Sequence, residues 1–256
     1  LMYKIILFLL VFSLYATISI ATNGYYINLS SQIAKKQHLN IVANNMANAA
    51  TNGYEADYAT YTSQNDNLSN NRNSYVIIKD IYRSNERGAL VMTNNPLDLA
   101  LTPSGYFKIL TPRGTRYTLN GSFIVNNDGV VVDGNGNPLA NDASQQIEIG
   151  QMGRHIQIAR DGSIYSNNIL IDKIGVFDFE NNQSLVKEGA SLYYSNSPDI
   201  LLEDYTVISG ALIQSNVNSA KAMVDLIELQ KSYSSTTSLM NNIAELDRNT
   251  IAKLMK

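Results

Sequence analysis

Hydrophobic residues recur with the period of an α-helix at both ends of the chain and with the period of a β-strand in between. Nothing between Gly24 and Ala50 breaks a helix, and apolar residues follow a three-to-four spacing on two nearly opposite faces. One face carries Tyr26, Leu29 and Ile33; the other carries Leu39, Val42 and Met46. A helix with two apolar faces needs partners on both sides, so we predict an N-terminal helical segment over residues 23–54 that contacts more than one neighbour.

The end of this helix contains an unusual set of amides. Gly53 is the expected left-handed residue after the helix, and Tyr54 supplies the apolar contact beyond it. Asn44, Asn45 and Asn48 precede them, although asparagine disfavours a helix interior because its amide competes for backbone hydrogen bonds. Three amides in five positions therefore suggest a specific role.

Residues 96–205 show short runs in which apolar and polar residues alternate, as Leu97, Leu99 and Leu101 do. Turn signals separate the runs at 103–105, 120–121, 127–129 and 133–136. We predict a central antiparallel all-β domain over this range. The preceding residues 55–95 are polar and rich in Asn and Ser, which predicts a mostly extended connector.

Helical periodicity returns after Gly210 and continues to Leu254 in two apolar stripes. The first stripe contains Ile213, Val217, Ala220, Val224 and Ile227. The second contains Ala222, Leu226, Leu229, Tyr233, Thr236, Met240 and Ile243. The segment 206–256 is therefore predicted to form a coiled-coil-like helix with more apolar surface than one neighbour can cover.

These patterns predict an α+β fold, in which the N- and C-terminal helices pair as a coiled-coil-like stalk beside a central antiparallel all-β domain. The remaining helix faces then need other molecules. Two interpretations stay open, a two-helix stalk that dimerises and a subunit of a polymer.

Residues 1–22 have the features of a secretory signal peptide. Lys4 precedes an apolar run over residues 5–15, and the small residues Ser19 and Ala21 resemble a cleavage site. The run is short for a membrane span, although residues 16–21 would extend it into an anchor. Because the chain begins with Leu1, the segment is alternatively translated upstream sequence from a mis-assigned start.

Composition excludes several classes of function. The net charge of −3 argues against nucleic-acid binding, and the absence of cysteine excludes disulfides, thiol catalysis and cysteine-based zinc sites. His38 and His155 leave little for a histidine-based metal site. Residues 133–137 resemble the opening of a calcium loop, but Pro138 replaces the required glycine and Ser144 the closing glutamate, so we predict a turn. We predict no catalytic residue, cofactor, metal or small-molecule substrate.

Three motifs resemble those of the bacterial flagellar axial proteins, the rod and hook family. The first is ANNMAN at 43–48 with TNGY at 51–54, and the second is LDLAL at 97–101 with GYF at 105–107. The third is IQSNVN at 213–218 with LQKSY at 229–233. They occur in the order found in the family and span most of the chain, which is identified as a member on these residues.

The resemblance implies a structural, non-enzymatic subunit of the flagellar basal-body rod, which spans the periplasm. Such a subunit polymerises through its terminal helices into the drive shaft that transmits torque, with other rod subunits, copies of itself and the export apparatus as partners. Overall length favours a rod subunit over the longer hook subunit, and residues 184–193 lack the Asn-Pro element of the distal-rod protein, which favours the proximal-rod member. The alternative function is a secreted or membrane-tethered β-domain binding protein on a helical stalk.

The chain departs from the family pattern at three places. Glu55 stands where the family usually has a basic residue, and Leu119 stands where it usually has arginine. Family members are normally exported without a cleaved signal and would start near Thr22 or Asn23, which favours the mis-assigned start for residues 1–21.

Amides at the helix ends are predicted to fix the register between subunits, since apolar packing alone is not directional. Asn44 and Asn48 lie one helical turn apart, and Asn216 and Asn218 are predicted to play the same role at the start of the C-terminal helix. The alternative for Asn48 is a cap of its own helix. The predicted subunit-interface residues are Asn44, Asn45, Asn48, Leu39, Val42, Met46, Ile213, Asn216, Val217, Val224, Ile227, Leu229 and Tyr233.

Overall fold

A computed structural model describes residues 2–65, 74–150, 156–189 and 191–254, with the side chains of the first helix described from Tyr25 onward. The chain divides into two compact units, each built from separate stretches of sequence. Unit 1 comprises Leu1–Asn44, Asp57–Tyr82 and Ala220–Lys256, and unit 2 comprises Asn45–Ala56 and Arg83–Ser219.

Unit 1 contains most of two long helices and of a β-hairpin. Helix α1 spans Met2–Ala47 and helix α2 spans Ser219–Leu254. Strands β1 (Asp57–Asn65) and β2 (Ser74–Arg83) form a two-stranded sheet within the predicted connector. The signal-like or mis-assigned-start segment lies outside the residues whose side chains are described. Within the residues whose side chains are described, no helix is both long enough and apolar enough to cross a membrane.

The predicted coiled-coil pairing of the two helices is wrong. Gln32 Nε2 donates to Thr237 Oγ1 over 2.8 Å, and Lys35 Nζ donates to Thr236 Oγ1 over 2.9 Å. A coiled coil instead interlocks apolar side chains of both helices, and the apolar positions Ile33, Val224 and Ile227 are exposed here. In the residues that the structure describes, the protein therefore has a mostly β domain with one N-terminal and one C-terminal helix, and these helices do not form a coiled-coil stalk.

Unit 2 holds the β domain, in which all the described strand pairs are antiparallel. The strands are β3 (Leu90–Met92), β4 (Leu99–Thr102), β5 (Tyr106–Thr111), β6 (Gly114–Thr118), β7 (Ile124–Val125), β8 (Val131–Val132), β9 (Ile156–Ile158), β10 (Ser163–Ser166), β11 (Ile169–Lys173), β12 (Val176–Asp178), β13 (Val186–Glu188), β14 (Leu192–Tyr194), β15 (Ile200–Leu201), β16 (Thr206–Ser209) and β17 (Ala211–Ile213). The largest sheet has the order β13-β14-β6-β5-β12-β15, and a three-stranded sheet has the order β11-β10-β9. Three further pairs, β16-β4, β17-β3 and β7-β8, complete the unit.

Two large buried clusters stabilise unit 2, and strand β5 contributes to both. Phe107 and Ile109 lie in the larger cluster, where the ring of Phe107 packs edge-on against Phe123 at 5.2 Å. Tyr106 lies in the second cluster with Tyr117, Leu119, Phe177, Phe179, Leu185 and Tyr193. This division follows from the alternation of side chains along a strand. Leu119, which departs from the family pattern, is therefore a core residue, 2% exposed.

The C-terminal helix begins later than its apolar stripe predicts. Gly210 adopts a φ of 78°, and the three following residues form β17, where Ile213 pairs with Leu90. Ile213 is buried against Ala100 and Ala211. Its spacing to Val217 matches a helix, but its backbone hydrogen bonds go to a neighbouring strand.

The calcium-like segment forms a turn. Asp133 Oδ1 accepts hydrogen bonds from the backbone N–H groups of Asn135 and Asn137, both over 2.8 Å. The carboxylate is thus engaged by its own loop, as expected for an Asp-initiated turn.

Candidate subunit interface

Asn45 is the one amide of the first motif that is buried. It is 6% exposed, and the Tyr54 hydroxyl donates to Asn45 Oδ1 over 3.0 Å. Gly53 makes this contact possible, because its φ of 69° turns the chain back and leaves no room for a side chain; a Cβ there would lie 2.4 Å from the Leu119 carbonyl carbon. Asn45 is therefore used within its own chain.

Asn44 and Asn48 lie at the same helix end in different surroundings. Asn44 is exposed and Asn48 is half-buried. Thr51 Oγ1 donates to Asn48 Oδ1 over 3.3 Å, and the Thr51 N–H donates to the Asn48 carbonyl over 3.0 Å. These contacts agree with the local capping role for Asn48, while a role of either residue between subunits stays a prediction.

Asn216 joins three segments of unit 2. Its Oδ1 accepts from the Ala56 N–H over 2.7 Å, and its Nδ2 donates to the Glu86 carbonyl over 2.7 Å. Its own N–H donates to the Tyr54 carbonyl over 3.3 Å. Both ends of the amide are satisfied by backbone groups distant in sequence, so Asn216 fixes segments of its own chain together.

Glu55 forms a buried ion pair that the sequence reasoning missed. Its Oε2 lies 3.0 Å from Arg83 Nε, and both side chains are 6% exposed. The remaining guanidinium nitrogens of Arg83 donate to the carbonyls of Asn182 and Leu185. Lys187 Nζ donates to the Glu55 carbonyl over 2.5 Å. The only signal in the sequence was the acid itself, which stands where the family usually has a base.

Three cations and one carboxylate set the electrostatics of this region. Burial raises the pKa of Glu55, while Arg83, Arg87 and Lys187 oppose that rise. Burial also raises the pKa of Tyr106 to about 12, so its hydroxyl keeps its proton and donates toward Glu55 Oε2 at 3.5 Å.

Each of the three cations also lies over an aromatic ring. The centroid distances are 4.7 Å for Arg83 over Tyr193, 4.2 Å for Lys187 over Tyr54 and 5.4 Å for Arg87 over Tyr106. The stacking helps to hold the cations in place around the single acid. We call Asn45, Tyr54, Glu55, Arg83 and Asn216 the root cluster.

The other predicted interface residues fall into exposed, half-buried and buried groups. Val224 and Ile227 are 55% and 45% exposed, next to Met223 at 50%. Leu39, Met46, Val217, Leu229 and Tyr233 are half-buried, whereas Val42 and Ile213 are buried. Leu239 and Leu246 of α2 are exposed as well, at 52% and 66%, whereas the residues of the second stripe are buried or half-buried.

A cleft in unit 1 is lined by His38, Asp225, Glu228, Leu229 and Ser232. The Tyr61 hydroxyl lies 2.6 Å from His38 Nδ1, within hydrogen-bond distance. Burial lowers the pKa of His38, and the nearby Asp225 opposes this. Within the part of the chain that the structure describes, no three His, Asp or Glu side chains are grouped to hold a metal ion.

Comparison with known proteins places these features in one family. Residues 100–166 match the flagellar hook protein FlgE/F/G D1 domain, and residues 208–253 match the flagellar basal body rod FlgEFG protein C-terminal region. The flagellar basal-body rod protein FlgF of Caulobacter vibrioides is 31% identical over 241 residues, which cover 91% of this chain and 98% of the relative.

Two further relatives extend this similarity. FlgF of Mesorhizobium japonicum is 28% identical, over 87% of this chain and 93% of the relative. A flagellar basal-body rod protein FlgG of Buchnera aphidicola is 29% identical, over 78% of this chain and 87% of the relative. The chain belongs to the family of flagellar basal-body rod proteins, in which it is a proximal-rod member.

Proposed function

We propose that this chain, a structural subunit of the flagellar basal-body rod, assembles through an exposed apolar face of α2 and the exposed face of α1. The observation that carries the proposal is the exposure of Met223, Val224 and Ile227, which lie on one side of α2. Single exposed apolar residues are common, but an apolar stripe on one face of a helix indicates a partner. Tyr26 and Ile33 on α1, 56% and 53% exposed, extend the same argument to the first helix.

The partners follow from the family and from this surface. A rod protein assembles with other rod components in the basal body, which is where this chain is located. We propose that copies of this chain are also among its neighbours, and that the export apparatus delivers it. The exposed amide of Asn44, with Asn48 behind it, would supply directional contacts that fix the register of neighbouring helices.

The proposed role is mechanical and not catalytic. The subunit transmits torque along the rod, and we assign it no reaction, cofactor or small-molecule substrate. Membership in a family of structural rod proteins supports this assignment. The alternative of a β-domain binding protein on a helical stalk loses its support, because it requires a paired-helix stalk, which the described parts of α1 and α2 do not form.

The experiment replaces Val224 and Ile227 with serine in the full chain and counts basal bodies in cells that make the variant in place of the natural protein. We expect assembly to fall by about tenfold or more, since two apolar contacts of 1 kcal/mol or so each are removed from every subunit. The control replaces Ile169 and Leu170 with serine, because they are 66% and 58% exposed on strand β11. Normal basal-body numbers with Val224→Ser/Ile227→Ser would contradict the proposal, as would an equal defect in the control.

A further inference from the structure

The chain passes between the two units at four places, and the root cluster contains residues next to three of them. The passages are at Asn44–Asn45, Ala56–Asp57, Tyr82–Arg83 and Ser219–Ala220. Asn45 and Arg83 are themselves the first residues of unit 2 after a passage, and Glu55 is one residue from another. Any force that travels along the backbone from unit 1 must enter unit 2 at these four passages.

The segments 53–56, 83–86 and 213–216 are joined to one another by polar contacts, of which the Glu55–Arg83 ion pair is buried. Segments 53–56 and 83–86 share the Glu55–Arg83 ion pair and a hydrogen bond of 2.8 Å from the Ser84 N–H to the Ala56 carbonyl. Segment 213–216 is joined to both by Asn216, and to 53–56 also by a 2.8 Å hydrogen bond from the Gly53 N–H to the Ile213 carbonyl. Each segment is thus held by the other two.

We propose that the root cluster is the site at which force enters the β unit, and that Glu55, Arg83 and Asn216 are positioning residues that make the three segments respond as one. The inference rests on the proposed function of the chain as a torque-transmitting rod subunit. It adds the specific residues through which the torque passes.

Polar contacts suit this role for a physical reason. Apolar packing is non-directional, so segments held by it alone can slide past one another under load. A buried ion pair resists displacement, because separating Glu55 from Arg83 leaves two charges unpaired in a site with little water. The amide of Asn216 adds directional bonds to two different segments, so that breaking one contact strains the next.

Hydrogen exchange of the purified full chain tests the coupling directly. We expect Asn216→Ala and Glu55→Gln each to speed amide exchange by about tenfold in all three segments, while strands β10 and β11 keep their rates. The matched controls are Asn127→Ala and Glu86→Gln, exposed side chains in the same unit. Faster exchange confined to the segment that carries the substitution would overturn the proposal.

A second variant covers the case in which Glu55→Gln does not fold. Arg83→Lys keeps the positive charge beside Glu55 and gives up the guanidinium contacts to Asn182 and Leu185. It is expected to produce a smaller acceleration with the same spread over the three segments. Acceleration confined to residues around Arg83 counts against the proposal.

Rotation of tethered cells at increasing viscosity separates this inference from the proposed function. Cells with Asn216→Ala are expected to assemble basal bodies and to lose rotation speed more steeply with load than cells with Asn127→Ala. Equal load dependence in the two strains would overturn the force-entry role while leaving assembly through α2 intact. The Val224→Ser/Ile227→Ser experiment tests that assembly separately.

Discussion

At the scale of single residues, His38 gives unit 1 a dependence on pH. Its Nδ1 lies 2.6 Å from the Tyr61 hydroxyl, and Asp225 and Glu228 line the same cleft. Because burial lowers its pKa in the folded chain, the unfolded chain gains a proton first as the pH falls. The contribution of His38 to stability is therefore present above about pH 6.5, its unfolded pKa, and is lost as the pH falls through the lower folded pKa.

We predict that the helical signal of the purified chain is lost at a lower urea concentration at about pH 5 than at about pH 7. His38→Gln should remove most of this difference, since glutamine does not titrate. Urea unfolding followed by far-ultraviolet circular dichroism measures both proteins. If the glutamine variant keeps the full pH difference, other groups are responsible and the role of His38 is excluded.

Single residues also show where sequence reasoning stops. The amides of the first and third motifs called for an explanation, but their partners could not be read from the chain. Asn45 meets Tyr54 only because Gly53 reverses the backbone, and Asn216 meets Ala56 and Glu86 across 160 and 130 positions. Such partners depend on the tertiary fold, which periodicity and turn chemistry do not specify.

At the scale of elements, the β10–β11 hairpin depends on its turn. Asn167 and Asn168 have φ values of 51° and 66°, the paired positive values of a two-residue type I′ turn. Asparagine tolerates this conformation better than most residues, and glycine tolerates it best. The turn sets the register in which Ser166 faces Ile169.

Asn168→Ala is accordingly expected to lower the free energy of unfolding by about 1 kcal/mol, whereas Asn168→Gly should leave it unchanged or raise it. Asn127→Ala serves as the control, because Asn127 is an exposed turn residue whose φ is not positive. Urea unfolding of the four proteins, natural chain included, gives the comparison. Equal losses in Asn168→Ala and Asn168→Gly would argue against a turn-controlled register.

The boundaries of elements show the same limit of sequence reasoning. The turn signal at Asn127-Asp128-Gly129 separates the antiparallel strands β7 and β8, and the one at Asp133-Gly134 lies between the bridged residues Val132 and Pro138, since these residue types encode turns locally. The spacing of Ile213 to Val217 and Val224 fits a helix equally well, yet Ile213 pairs with Leu90 in a strand. The spacing of an apolar residue at the junction of two elements can fit either a helix or a strand, and only its contacts with residues distant in sequence decide which one forms.

At the scale of the whole molecule, the two units differ in how much apolar surface they bury. Unit 2 contains both large clusters, including Phe107, Phe123 and Tyr193. In the described part of unit 1, the buried apolar residues are Ala34, Val42 and Ala222, which remove little area from water. Folding within one chain therefore stabilises the helices of unit 1 by less free energy than it stabilises the strands of unit 2.

We predict that limited proteolysis of the purified chain first cuts residues of unit 1 and leaves a resistant product that contains 83–219. In isolated basal bodies the same protease should leave the helices intact, because neighbouring subunits cover Val224, Ile227 and the exposed face of α1. Mass spectrometry of the fragments at matched digestion times compares the two states. A purified chain whose ends resist cleavage as well as its β strands do would mean that the helices are stable without neighbours, and the assembly proposed from their exposed surface would then lose its physical basis.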